Sequence, residues 1–200
     1  MAESDILNRL AIYCGSATPS DPRFLALAHE VGRTLATRGI GIVYGGGRLG
    51  LMGAIADSAL DAGGEVIGVI PQALVNAEVA HRGLTQLHVV DTMHERKQRF
   101  TDLADGFVTL PGGTGTMDEL WEALSWAQLG YHRDPVGLLN AFGYYDQLIA
   151  FWHQMAETGF VRAQHRDLLI IDAHIDGLID KLAAHQPLAA PITQMKAADL

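Results

Sequence analysis

The sequence predicts an α/β protein in which strands and helices alternate along most of the chain. Three observations carry that reading. Apolar runs of four to six residues recur between longer segments of helical spacing. The runs are continuously apolar, as strands buried on both faces are. The 22 glycines gather at the ends of those runs, where backbone must come close to something. Together these predict a Rossmann-like three-layer sandwich, with a mainly parallel sheet of about seven strands between two helical layers.

The first strand is Leu10–Cys14, ending in Gly15-Ser16. Pro22–Arg38 reads as a helix: Phe24, Leu25, Ala28, Val31 and Leu35 share a face, Asp21 is the N-cap and Pro22 sits at the first helical position. Gly41–Tyr44 is the second strand and runs into Gly45-Gly46-Gly47-Arg48-Leu49-Gly50; a helix bearing Met52, Ile55, Ala56 and Leu60 follows. Glu65–Ile70 is the third strand, stopped by Pro71. Gln72–Gln86 reads as a short helix plus loop. Leu87–Val90 is the fourth strand, Thr92–Ala104 a helix and Phe107–Leu110 the fifth strand. Thr116–Leu129 is a helix, Val136–Asn140 the sixth strand and Tyr144–Glu157 a helix. Leu168–Ile171 is the seventh strand and Ile175–Ala184 the last helix. Residues 1–185 therefore form one nucleotide-binding domain, and 186–200, without period, a loose tail.

Composition narrows the function. The net charge of −9 argues against a generic nucleic-acid binder, which needs a basic face. A small anion held by local backbone N–H groups stays open. The single cysteine, Cys14, excludes an intrachain disulfide and points to a reducing, cytoplasmic setting. The start Met-Ala-Glu-Ser-Asp is acidic where a signal peptide is basic, and no apolar run reaches the ~18 residues of a membrane span.

The chemistry centres on Pro111-Gly112-Gly113-Thr114-Gly115-Thr116-Met117-Asp118-Glu119. A buried strand stops and a helix begins. The first N–H groups of a helix lack partners in the chain, its dipole is positive there, and glycine lets a phosphate approach. The structural alternative is a plain capped turn, with Thr116 as N-cap and Glu119 three residues on. No lysine follows the glycines, so the loop is not a Walker motif.

Gly45–Gly50 matches G-x-G-x-x-G, but after the second strand rather than the first, so a dinucleotide site is disfavoured. It is either packing glycine or a second wall of the nucleotide pocket, with Gly45 and Gly46 as its contacts. Met93-His94-Glu95-Arg96-Lys97 opens a helix at another strand end; it is a solvated basic patch or an anion grip. Gln98 stands where a zincin needs its second His, the nine histidines show no metal-ligand spacing, and nothing around Lys97 suggests pyridoxal chemistry. No metal or cofactor is expected. Cys14, inside an apolar run, is expected to be buried and inert.

Three segments, Tyr44–Gly47 with Gly50–Gly53, Met93–Lys97, and Pro111–Thr116 with Glu119, closely resemble the LOG ("Lonely guy") family, cytokinin riboside 5′-monophosphate phosphoribohydrolases formerly labelled lysine decarboxylases. The resemblance runs from about Leu10 to Leu182 and includes Trp126–Gly130 and Pro135–Asn140. It implies hydrolysis of the N-glycosidic bond of a nucleoside 5′-monophosphate. It assigns Arg96 and Glu119 as the catalytic pair and places substrate contacts at Lys97, at Gly113–Glu119, and at Glu78 and Ser125; Ser16 and Gly112 border the same turn. Thr114 and Asp118 differ from the Tyr and Glu usual in plant members, which bears on the base accepted. The family implies a homodimer with the active site near the interface, which Trp121 and Trp126 could serve. A general AMP nucleosidase and a non-catalytic nucleotide sensor remain as alternatives.

Overall fold

The structure is a computed structural model that describes residues 7–75 and 80–187. The elements, in chain order, are β1 (Arg9–Tyr13), α1 (Pro22–Thr37), β2 (Gly41–Tyr44), α2 (Gly50–Asp61), β3 (Val66–Pro71), β4 (Gln86–Val90), α3 (Met93–Leu103), β5 (Phe107–Thr109), α4 (Thr114–Leu129), β6 (Val136–Leu139), α5 (Asp146–Glu157), β7 (Leu169–Asp172) and α6 (Ile175–Ala183). The strands form one sheet of seven, all parallel, in the order β4-β3-β2-β1-β5-β6-β7.

The continuous apolar runs explain why each strand sits where it does. Along β1, Leu10 and Ile12 face one core and Ala11 and Tyr13 the other, and all four are buried. The first core is closed by α1, α2 and α6 through Val31, Leu35, Ile55 and Leu178. The second is closed by α3, α4 and α5 through Phe100, Leu120, Leu124 and Trp152. At about 25 cal/mol per Å² of apolar area, two filled faces are what hold a parallel sheet together. Trp121 packs against this second core, its ring 6.2 Å from that of Trp152, whereas Trp126 is half-buried beside Tyr131.

The strand order reverses between β1 and β5. The chain leaves β1 toward α1 and leaves β5 toward α4, in the opposite layer, so a crevice opens at the carboxyl end of the sheet. Two local readings need correction. Helix α4 begins at Thr114 with Gly113 as N-cap, two residues before the expected start, so Thr116 is not its cap. Helix α5 begins at Asp146, because a single helical turn, Ala141–Gly143, with Phe142 at φ 58°, comes first. Asp21 does cap α1, its carboxylate accepting from Arg23 N. Between β3 and β4 lie a single turn, Gln72–Leu74, and a bridge from Ala80 to Gly47. Glu78, and all but the first two residues of the expected tail, fall outside the described residues.

Candidate active site

Helix α4 points its amino end into the crevice. Its N-cap, Gly113, offers no side-chain cap, and no acid stands in its first turn. The amide N–H groups there keep their positive potential, which suits an anion. Gly112 is required for the turn: a Cβ there would collide with the Thr116 side chain. The turn is tied to the end of β1, where Gly15 N donates to Pro111 O at 3.2 Å.

A cleft of about 250 Å³ lies against this helix end, lined by Cys14 to Ala17, Met52, Arg96, Gly113 to Thr116 and Glu119. Arg96 and Glu119 form its floor, only 5% and 8% exposed. An Arg96 guanidinium nitrogen lies 3.8 Å from Glu119 Oε1. Arg96 is held chiefly by backbone: Nε donates to Val69 O at 3.1 Å and Nη2 to Gly45 O at 3.4 Å, with the guanidinium 5.4 Å from the centre of the Phe100 ring. A Cβ on Gly45 would run into the same guanidinium. Tyr13 stands close behind. Burial, and then the Glu119 carboxylate, push its phenol well above the ordinary range, so it stays protonated.

The cleft thus unites Ser16, Gly113, Thr114, Gly115, Thr116, Arg96 and Glu119, and Gly45 joins through its bond to Arg96. Gly112 borders an adjacent apolar hollow. Gly46 is turned elsewhere: its carbonyl accepts from His81 N, and a Cβ there would face Ile70 and Leu87. Lys97 binds Asp118 at 2.8 Å and Glu122 at 2.9 Å. Burial alone would lower its pKa, but the two carboxylates raise it overall. Met117 packs into the core behind α4. Ser125 is exposed, about 9 Å along α4 and about 240° around it from Glu119 by helix geometry, so it does not meet the cleft within one chain. Cys14 is buried, and burial pushes its thiol far above the usual range, as expected of an inert cysteine.

The roles of Val69, Met52 and Phe100 were not read from the sequence. Met52 had a signal, three residues into the helix after the second glycine-rich turn. Val69 contributes only a carbonyl, for which sequence carries no mark. A larger cavity, about 560 Å³, lies beside α2 at Arg48, Asp57 and His81. There His81 Nε2 bonds Asp57 at 2.8 Å. The smaller cleft is the candidate because it alone joins a helix amino terminus to a buried ion pair, among the described residues.

Fold and cleft together define a doubly wound α/β protein with its cleft at the topological switch point. Residues 52–182 match the family model described as "Possible lysine decarboxylase", and the chain belongs to that family, the LOG family. It is 42% identical over 180 residues to a probable cytokinin riboside 5′-monophosphate phosphoribohydrolase of Oryza sativa subsp. japonica, covering 90% of this chain and 79% of the relative. It is 42% identical over 171 residues to the cytokinin riboside 5′-monophosphate phosphoribohydrolase of Rhodococcoides fascians, covering 85% and 86%. Among solved structures, the molybdenum cofactor carrier protein of Chlamydomonas reinhardtii superposes with a TM-score of 0.68 at 22% identity, covering 88% of this chain and 98% of that one. That likeness is one of fold.

Proposed function

We propose that this protein hydrolyses adenosine 5′-monophosphates, plain or N6-substituted, to the free base and ribose 5-phosphate. One observation carries the reading: the buried Arg96–Glu119 pair forms the floor of a cleft whose wall is an uncapped helix amino terminus. The relatives' names point to the same reaction.

The 5′-phosphate sits at the amino end of α4, on the N–H groups of Gly113 to Thr116. A remote anchor of this kind spends binding energy on orientation at the reacting carbon. Cleavage of the C1′–N9 bond leaves positive charge on the ribose, as in glycoside hydrolysis. The Glu119 carboxylate stabilises that charge and takes a proton from the water that attacks C1′. Arg96 stays charged throughout. It orients Glu119, and it is not a proton donor. One water is consumed: its hydroxyl stays on C1′, the proton taken by Glu119 passes to the departing base, and base and ribose 5-phosphate leave.

Incubation with AMP and with isopentenyladenosine 5′-monophosphate, followed by chromatography for free base, tests the reading. Release chiefly from the N6-substituted nucleotide fits a cytokinin-activating enzyme. Equal release fits a general AMP nucleosidase. No release from either overturns the hydrolase reading in favour of a nucleotide carrier.

We propose also a single domain spanning 1–185 and a cytoplasmic homodimer that acts on free nucleotides rather than nucleic acid or membrane. The net charge of −9 speaks against a nucleic-acid partner, and among the described residues no helix is long and apolar enough to cross a membrane. Ser125 and Glu78, carried over from the family resemblance, belong to the proposed substrate contacts, with Ser125 approaching from the partner's side of the interface. Sedimentation at micromolar concentration reads the dimer directly.

A further inference from the structure

Four successive carbonyls of the turn, Leu110 to Gly113, each accept a hydrogen bond. Leu110 O takes the Tyr145 hydroxyl at 2.7 Å, Pro111 O takes Gly15 N at 3.2 Å, Gly112 O takes the Tyr144 hydroxyl at 2.8 Å and Gly113 O takes Met117 N at 3.1 Å. Two of these donors are backbone and one, Tyr145, is a buried side chain. Tyr144 is different. It is 47% exposed, it lies outside the cleft, and its hydroxyl reaches across from the loop after β6.

The peptide that Tyr144 grips lies between two glycines. In a trans peptide the C=O and N–H point in opposite directions. Holding Gly112 O toward Tyr144 therefore holds Gly113 N–H toward the opposite side, at the amino end of α4. Glycine on both sides makes rotation of that plane cheap, and a Cβ on Gly113 would meet nothing within 4 Å. A rotated plane would present a carbonyl oxygen to an anion where the N–H now stands.

Tyr144 is itself well placed to hold the plane. Its ring packs edge-on against Phe24 at 5.6 Å and against Tyr145 at 4.7 Å. The turn that carries it is closed by Asn140, whose Oδ1 accepts from Tyr145 N at 2.7 Å and whose Nδ2 donates to Asp146 at 2.8 Å.

We propose that Tyr144 is a positioning residue for the 5′-phosphate: its hydroxyl, bonded to Gly112 O, sets the orientation of the Gly113 N–H that receives the anion. The proposal rests on the phosphate-at-α4 reading above. It assigns a role in substrate affinity to a side chain that does not touch the substrate.

The test compares wild type with Tyr144→Phe, which keeps the ring contacts and loses only the hydroxyl. Calorimetric titration with ribose 5-phosphate, and with ribose as the phosphate-free control, reads the effect directly. The expected result is a rise of about three- to tenfold in Kd for ribose 5-phosphate, the worth of one neutral hydrogen bond, with ribose affinity unmoved. In AMP kinetics the loss falls on KM rather than kcat. An unchanged Kd for ribose 5-phosphate overturns the proposal, and so does an equal loss for ribose. If wild type binds ribose 5-phosphate but releases no base from any nucleotide, the hydrolase reading falls while the titration still decides the role of Tyr144.

Discussion

Arg96 approaches Glu119 to 3.8 Å, yet its shorter bonds run to the carbonyls of Val69 and Gly45, at 3.1 and 3.4 Å. The guanidinium is therefore positioned by the ends of β2 and β3 and does not depend on the carboxylate for its place. The pair can lose one member in two very different ways.

Removing the charge of Glu119 should leave the scaffold standing. Glu119→Gln is expected to fold with Arg96 still on its two carbonyls. Its kcat for AMP should fall by about 10²–10⁴, the usual worth of a positioned acid–base group, with little change in KM. Steady-state kinetics checks this. A rate within about tenfold of wild type would remove Glu119 from the catalytic role.

Removing Arg96 should be costly to the fold. Arg96→Met takes the donor from two buried carbonyls, at about 1–3 kcal/mol each, and the cation from beside Glu119, a loss of about 3–5 kcal/mol by urea denaturation. Adding Glu119→Gln should restore only about 1 kcal/mol, because the carbonyls stay stranded. Recovery of most of the loss in the double variant would show that the ion pair, and not the backbone, anchors Arg96.

Two glycines should fail in opposite ways. Gly45→Ala drives a methyl into the Arg96 guanidinium, and its loss is expected mainly in kcat. Gly112→Ala drives one into Thr116 at the start of α4, and its loss is expected mainly in KM, through the phosphate. Kinetics of the two variants side by side separates the chemical half of the cleft from the binding half.

Acid should weaken the fold through His132. Its Nε2 donates to Ala123 O at 2.9 Å and its Nδ1 accepts from Asp134 N at 3.2 Å, so both nitrogens are committed as a neutral ring. Burial lowers its pKa, although its backbone bonds oppose the shift. A histidine lowered in the fold contributes its full stability above the unfolded value of about 6.5 and loses it as pH falls through that value toward the folded one. His165 shifts the same way, from burial and then from Arg162. The thermal midpoint should drop as pH falls below about 6.5, and His132→Gln should flatten that drop in part. An identical slope in the variant would refute the assignment.

Much of this was legible in the sequence, for identifiable reasons. Continuous apolar runs such as Leu10–Cys14 and Phe107–Leu110, closed by glycine turns and alternating with helical spacing, point to a mainly parallel sheet covered on both faces, and the sheet is parallel throughout. The Pro111–Glu119 turn could be singled out because its glycines join a buried strand to a helix start, whereas Arg96, whose motif alone reads as a solvated basic patch or an anion grip, was singled out by the family resemblance. The start of α4 was misread because Thr116 and Glu119 mimic a capping box, whereas Gly113 serves as N-cap with no side chain at all. Val69, Tyr144 and Tyr145 could not be seen. Their roles are hydrogen bonds to or from backbone carbonyls, and which carbonyl meets which side chain depends on the order of strands in the sheet.

Strand β5 is three residues long, Phe107–Thr109, and it separates the helix that carries Arg96 from the helix that carries Glu119. The proposed catalytic pair is thus carried by two helices that the shortest strand of the sheet joins in sequence, and both helices pack on the same face of that sheet. Its neighbours on either side, β1 and β6, pair with it over those three positions, and Phe107 and Val108 seat it in the two cores. A substitution that lets Val108 or Phe107 settle differently is expected to shift α4 relative to α3. Substitutions in this stretch are therefore expected to cost activity, through the spacing of the proposed pair, as well as stability, through the buried Phe107 and Val108.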